Sequence, residues 1–168
     1  APAAAPAAPT SVNGKGNGVF GNTITVINNF ADKVLKLTLR DVKIDVSGTG
    51  NPLYYDDKGN AALSVQGEGD VEIELDGKNE LKSGANHAGV EKNNSDSKGT
   101  LTIKDDTGEK GSLTATGGAQ GAGIGGAKNN SGSNIEITGG TITATGGCNN
   151  NEAGNGGAAG IGGGFNGS

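Results

Sequence analysis

Hydrophobic residues in this chain fall at every second position, in short runs closed by glycine. Val34 to Leu39 (from Leu35 onward), Val42 to Val46, Val71 to Leu75, Leu101 to Ile103, Leu113 to Thr116, Ile135 to Ile137 and Ile142 to Ala144 alternate apolar with polar side chains. A period of two puts one set of side chains on each face of an extended segment, which predicts half-buried strands. Thr23 to Asn28 predicts the earliest of them. No helical period is visible, so the chain reads as all-β.

The runs recur in a fixed order. Gly121-Ala122-Gly123-Ile124-Gly125-Gly126 is echoed by Ala158-Ala159-Gly160-Ile161-Gly162-Gly163, and Ile124 and Ile161 lie 37 positions apart. Between the copies come Asn134 to Gly140 and Thr141 to Gly147, each an alternating run ended by a glycine pair. One period is therefore three short strands and three corners, the unit of a solenoid coil. Traced backwards, the glycine phrase aligns with His87 to Val90 and with Ala61 to Val65, which stacks Ala62, Ala88, Ala122 and Ala159. The second run aligns with Leu101 to Ile103, Val71 to Leu75 and Val34 to Leu39, and the third with Leu113 to Thr116, Glu80 to Lys82 and Val42 to Val46. Spacings differ because a coil keeps its strands and absorbs insertions in its corners. The count is about four coils and the start of a fifth, so four to five in all. The predicted fold is a right-handed parallel β-solenoid (parallel β-helix) over 22–168, with that hand because crossovers between parallel strands nearly always have it. Val90, Ala115, Ile124, Ile137 and Ala144 are expected to point inward, and Thr114 and Thr116 outward above Thr143 and Thr145.

Composition narrows the picture. Hydrophobic residues make up 32% and aromatics 3%, too few for a broad layered core but enough for a narrow one. The 34 glycines suit either a chain that cannot offset its ordering entropy or corners that need positive φ and close backbone approach. Regular alternation between the glycines favours corners. Positions 1–21, Ala/Pro-rich and then Gly-rich, read as a linker, an arm, or the start of a mature secreted chain. Phe20 and Phe30 are expected to cover the first coil's core. A net charge of -5 with thinly spread lysines gives no basic stripe for nucleic acid, and no apolar run is long enough to cross a bilayer. Cys148 is the sole cysteine and makes neither an internal disulfide nor a multi-cysteine metal site; it reads as a corner residue or a cross-link between chains.

Candidate chemistry sits in the corners. Tyr54-Tyr55-Asp56-Asp57, in the long corner from Gly48 to Asn60, is the one place where aromatic and acidic residues adjoin. Aromatic faces stack on sugar rings and carboxylates hydrogen-bond hydroxyls or hold calcium, so these four are the candidate ligand-binding residues. Asp105 to Glu109 forms a second acidic corner, and neither corner has the ligand spacing of a helix-loop-helix calcium site. Gly121 to Gly126 fits G-x-G-x-x-G literally, but no helix follows it, which excludes the dinucleotide reading. His87, the sole histidine, has no nucleophile or orienting acid that sequence context assigns to it, and reads as a corner or face residue. Arg40, the sole arginine, with Asp41 and Asp45 reads as a solvated face. No catalytic set emerges, and the chain is expected not to be an enzyme.

The wording from Ala122 to Gly126, followed by Ile135 to Gly147 and the partial copy from Ala159 to Gly164, resembles the glycine-rich β-solenoid repeats of secreted or wall-attached proteins of Gram-positive bacteria. Ala61 to Gly84, with Val71 to Gly77, resembles bacterial carbohydrate-binding domains built as right-handed parallel β-helices, a fold shared with pectate lyases. The resemblance spans roughly positions 34 to 164. It implies a non-catalytic extracellular module, an adhesin or polysaccharide binder at the cell surface, with calcium in some members and no ligand set that can be carried over to residues here. The alternative expectation is a structural subunit of an extracellular filament. The sequence stops one strand into its fifth coil, and unpaired parallel edges recruit strands, so self-association through open solenoid ends competes with a longer solenoid of which this chain is a piece.

Overall fold

The computed structural model describes residues 10–14, 18–53, 58–108, 110–148 and 157–168, and contains no helix among them. The strands in chain order are β1 (Thr10–Asn13), β2 (Ile24–Ile27), β3 (Val34–Arg40), β4 (Lys43–Asp45), β5 (Leu63–Gln66), β6 (Asp70–Asp76), β7 (Lys78–Lys82), β8 (Val90–Glu91), β9 (Leu101–Lys104), β10 (Ser112–Thr116), β11 (Ile124–Gly125), β12 (Ile135–Ile137), β13 (Thr141–Thr145) and β14 (Ile161–Gly162). They form three sheets. Sheet I runs β1-β3-β6-β9-β12, sheet II β4-β7-β10-β13 and sheet III β2-β5-β8-β11-β14. From β3 onward the chain visits the sheets in the order I, II, III and begins again, and neighbouring strands pair in parallel. This arrangement fits the parallel β-solenoid expected from the alternating runs.

Rows of inward side chains run across each sheet, as parallel in-register pairing requires. Leu37, Ile73 and Ile103 line up on sheet I, Ile44, Leu81 and Ala115 on sheet II, and Leu63, Val90 and Ile124 on sheet III. All nine are buried in one cluster shared by the three sheets. Each larger aliphatic member contributes roughly 1.5–3 kcal/mol on burial. One expected spacing was a residue short: Leu63, not Ala62, sets the register by pairing with Val90, and the shift is absorbed at the corner before β5. The later spacing stands, with Ile124 paired to Ile161.

Three positions depart from expectation. Ile137 is 38% exposed instead of enclosed, because β12 pairs with β9 on one side and no described strand covers the other. Phe20 bridges to Ile44 and packs against the core, whereas Phe30 is 67% exposed and covers nothing. Thr10 to Asn13, within the expected arm, adds β1 beside β3.

Asn79 and Lys92 are among the buried polar residues. Asn79 stands in the row of Leu113 and Ile142, and is held there by its amide: Oδ1 accepts from the Val42 N–H at 2.9 Å, and Nδ2 donates to the Asp76 and Ser112 carbonyls at 3.2 Å each. It satisfies backbone groups at a corner where the ladder is interrupted. Lys92, one residue past β8, is 0% exposed, and its amine donates to the Ser97 carbonyl at 3.3 Å. Burial pushes its pKa below the usual lysine range, and nearby Lys98 pushes the same way.

Candidate functional site

The outward row of sheet III reads Thr25, Ser64, Glu91, Gly125, Gly162. Glu91 therefore has a small hydroxyl residue on one side and no side chain on the other. Gly125 is confined to glycine: its φ is +133° and a Cβ there would lie 2.0 Å from the Gly162 carbonyl oxygen. Beside this row, residues from the corners at both ends of β8 come together. The result is a polar cleft of about 270 Å³ whose lining includes Lys58, Asn86, His87, Glu91, Asp96 and Lys128.

Glu91 is 6% exposed and held at both oxygens. Oε2 lies 2.7 Å from His87 Nδ1 and accepts from the Ala88 N–H at 3.2 Å, while Oε1 accepts from Asn93 Nδ2 at 3.1 Å. An ionised carboxylate only accepts, so the pair places a proton on Nδ1 and leaves Nε2 as the ring atom available to a ligand. Asn93 in turn accepts from the Ala127 N–H at 2.8 Å, which ties the Glu91 end of the cleft to the next corner.

Asn86 also lines the cleft. It sits at φ 72°, a left-handed conformation that asparagine tolerates. Its N–H donates to the Ala119 carbonyl and its carbonyl accepts from the Lys128 N–H at 2.9 Å, which brings Lys128 alongside. Its side-chain Oδ1 is buried and has no hydrogen-bond partner among the described residues. Such an atom costs about 1–3 kcal/mol when it is left without a donor. Lys58 arrives from the long corner before β5: the Gly59 N–H donates to the Ala85 carbonyl at 3.0 Å, and a Cβ on Gly59 would lie 2.5 Å from the Ala85 nitrogen.

Tyr54, Tyr55, Asp56 and Asp57, the residues expected to bind ligand, lie outside the described residues, though Lys58 directly after them lines the cleft. The second acidic corner staples the fold: Glu74 Oε1 accepts from the Asp106 and Thr107 N–H groups, Asp105 Oδ2 accepts from the Gly111 N–H, and Asp106 pairs with Lys104 at 2.9 Å. Arg40 pairs with Asp76, and Asp41 Oδ1 accepts from the Lys78 N–H. Ser112, Thr114 and Thr116 pair in register with Thr141, Thr143 and Thr145, giving the expected outward hydroxyl array one row more. Among the described residues no three of His, Cys, Asp and Glu gather as a metal site, and no helix is long and apolar enough to cross a membrane.

Sequence reasoning placed His87 on a corner but missed its orienting acid, four residues on. The one legible signal was that Glu91 stands where the other copies of the phrase have Ser64 and Gly125. No protein-family model matches this chain, and comparison with curated proteins and with solved structures gave no match.

Proposed function

We propose that the chain is a non-catalytic polysaccharide-binding module, secreted or displayed at a bacterial cell surface, built on a right-handed solenoid of four to five coils, with its glycan site in the cleft between the β8 and β11 corners. The observation that carries this reading is a cleft lined both by Asn86, whose buried Oδ1 has no partner among the described residues, and by a fixed His87–Glu91 pair. Sugar hydroxyls donate and accept at once, and suit a site that mixes an orphan acceptor, amides and a ring nitrogen. The cleft is polar, unlike the apolar pockets that take drug-like molecules. Because Glu91 is already bonded at both oxygens, its geometry is set before a ligand arrives and little ordering cost remains. Tyr54, Tyr55, Asp56 and Asp57 extend the proposal as a stacking platform beside Lys58, with calcium bound there in the manner of some domains the sequence resembles.

Retention on an array of neutral and acidic polysaccharides tests it, using the wild-type chain, His87→Ala and Asn86→Gly, the last chosen because glycine keeps the left-handed φ. At least one glycan should be retained by the wild type and lost or weakened in both variants, with melting curves unchanged. No retained glycan, or retention indifferent to both substitutions, sinks the reading.

A second reading, a filament subunit, draws on one observation: Ile137 and Ile161 are exposed on strands paired on one side only. A further strand from a second copy would bury them. Light scattering at rising concentration distinguishes this from a monomer.

A further inference from the structure

We propose that the outer face of sheet II at β10 and β13 is a second binding surface, independent of the cleft, and that what it binds is the ordered water lattice at the surface of ice. Thr114 pairs in register with Thr143 and Thr116 with Thr145, while Ser112 and Thr141 add a third row. Their inward neighbours fix which way they point. Leu113 and Ala115 are buried and Ile142 and Ala144 pack against the core, so strand alternation puts the hydroxyl residues on the outer face. Among the described residues none of these four threonine hydroxyls has a protein partner; Ser112 alone in the array reaches one, the Gly77 carbonyl, at 3.5 Å. No residue of the array is charged. On β7 the face changes character: Glu80 and Lys82, in register with Thr114 and Thr116, pair with Lys43 and Asp45 of β4.

Register turns these residues into a lattice. Neighbouring strands lie about 4.8 Å apart and alternate residues of one strand about 6.7 Å apart, so the four threonines mark the corners of one near-rectangular cell. Water in ice is bonded tetrahedrally. With an O–H···O length of about 2.75 Å, two waters that share a neighbour lie about 4.5 Å apart, and the repeat at right angles to that spacing is about 7.3 Å. The threonine cell therefore differs from the ice cell by about 0.3 Å across the strands and about 0.6 Å along them. A hydroxyl donates and accepts, so each can stand in for a lattice water, while the threonine methyl occupies a hollow of the lattice without competing for hydrogen bonds. Branching at Cβ restricts χ1, and the backbone ladder fixes the spacing, so little ordering cost remains when the lattice forms. A charged side chain gathers water into a shell of its own, and the array has none.

Ice-affinity partitioning tests this, with a solution of the chain frozen slowly and its concentration in the ice compared with that in the remaining liquid. The wild type should concentrate in the ice and facet a growing crystal under the microscope. Thr143→Lys with Thr145→Lys should be excluded like an ordinary solute, while Thr25→Lys, on the outward row of sheet III, should behave as the wild type. Thr143 and Thr145 are exposed, so an unchanged melting temperature certifies the comparison; if the double variant melts early, Thr145→Lys alone takes its place. Exclusion of the wild type from ice, or uptake that survives the lysines on β13, overturns the inference. A pull-down on crystalline cellulose and chitin with the same variants supplies the competing outcome: retention lost in the double variant, without uptake into ice, assigns the face to a flat polysaccharide and overturns the water-lattice reading. His87→Ala, which tests the cleft, should leave uptake into ice unchanged, so the two surfaces stand or fail separately.

Discussion

Ile103 and Ile137 are neighbours in one inward row of sheet I, yet the structure gives them different weight, and truncating each to alanine measures that difference. Ile103 is 0% exposed, closed in by the row members Ile73 and Ile137 and by the other two sheets. Removing its three outer carbons forfeits about 0.8 kcal/mol each in transfer free energy, and the enclosed hole adds a cavity term, for a total of about 3–4 kcal/mol. Ile137 is 38% exposed and its outer side has no described strand against it, so the same truncation opens to solvent and leaves no sealed cavity. Only part of the transfer term is lost, about 1–1.5 kcal/mol. For a chain of this size each kcal/mol moves the melting temperature by about 2–4 °C, so Ile103→Ala should lower it by about 6–16 °C and Ile137→Ala by under about 6 °C. Circular dichroism at the strand band, with heat and with urea, reads both. Equal losses for the two variants, or a larger one for Ile137→Ala, would refute the assignment of an uncovered face at β12.

Asn79→Ala should cost about 1–3 kcal/mol in urea denaturation, since it strands the Val42 N–H and takes a donor from the Asp76 and Ser112 carbonyls; Asn79→Leu, which restores volume to the row, should not recover the loss. A full recovery by leucine would mean that packing, not hydrogen bonding, selects the residue. Lys92→Met should raise the urea midpoint at neutral pH by removing an amine from the core. Its pH dependence has a definite sign. The folded pKa lies below the unfolded value, so between the two the unfolded state binds more protons and stability rises with pH; the penalty is full below the folded pKa and gone above the unfolded one. The wild-type midpoint should therefore climb toward alkaline pH relative to that of Lys92→Met, and parallel profiles would show that the amine is not desolvated.

Much of the fold was legible because strand alternation is a local property. Leu37, Ile73 and Ile103 point inward for the same reason that Lys36, Glu72 and Thr102 point outward, and a parallel in-register stack repeats that choice strand after strand. The glycine phrase was legible too, since Gly125 and Gly162 share a positive φ that favours glycine, and at Gly125 a Cβ would also strike the Gly162 carbonyl. Tertiary structure alone decided the rest. Whether an inward residue is buried depends on its having neighbours on both sides, which periodicity does not encode, and so Ile137 and Ile103 look identical in the sequence. The interior positions of Asn79 and Lys92 were invisible because polarity predicts an outward side chain until the corner carbonyls and N–H groups they serve are known. The cleft was hidden for the same reason. Its walls come from the corners before β5, around β8 and after β11, segments far apart in the chain that only the stacking of parallel strands about 4.8 Å apart brings together.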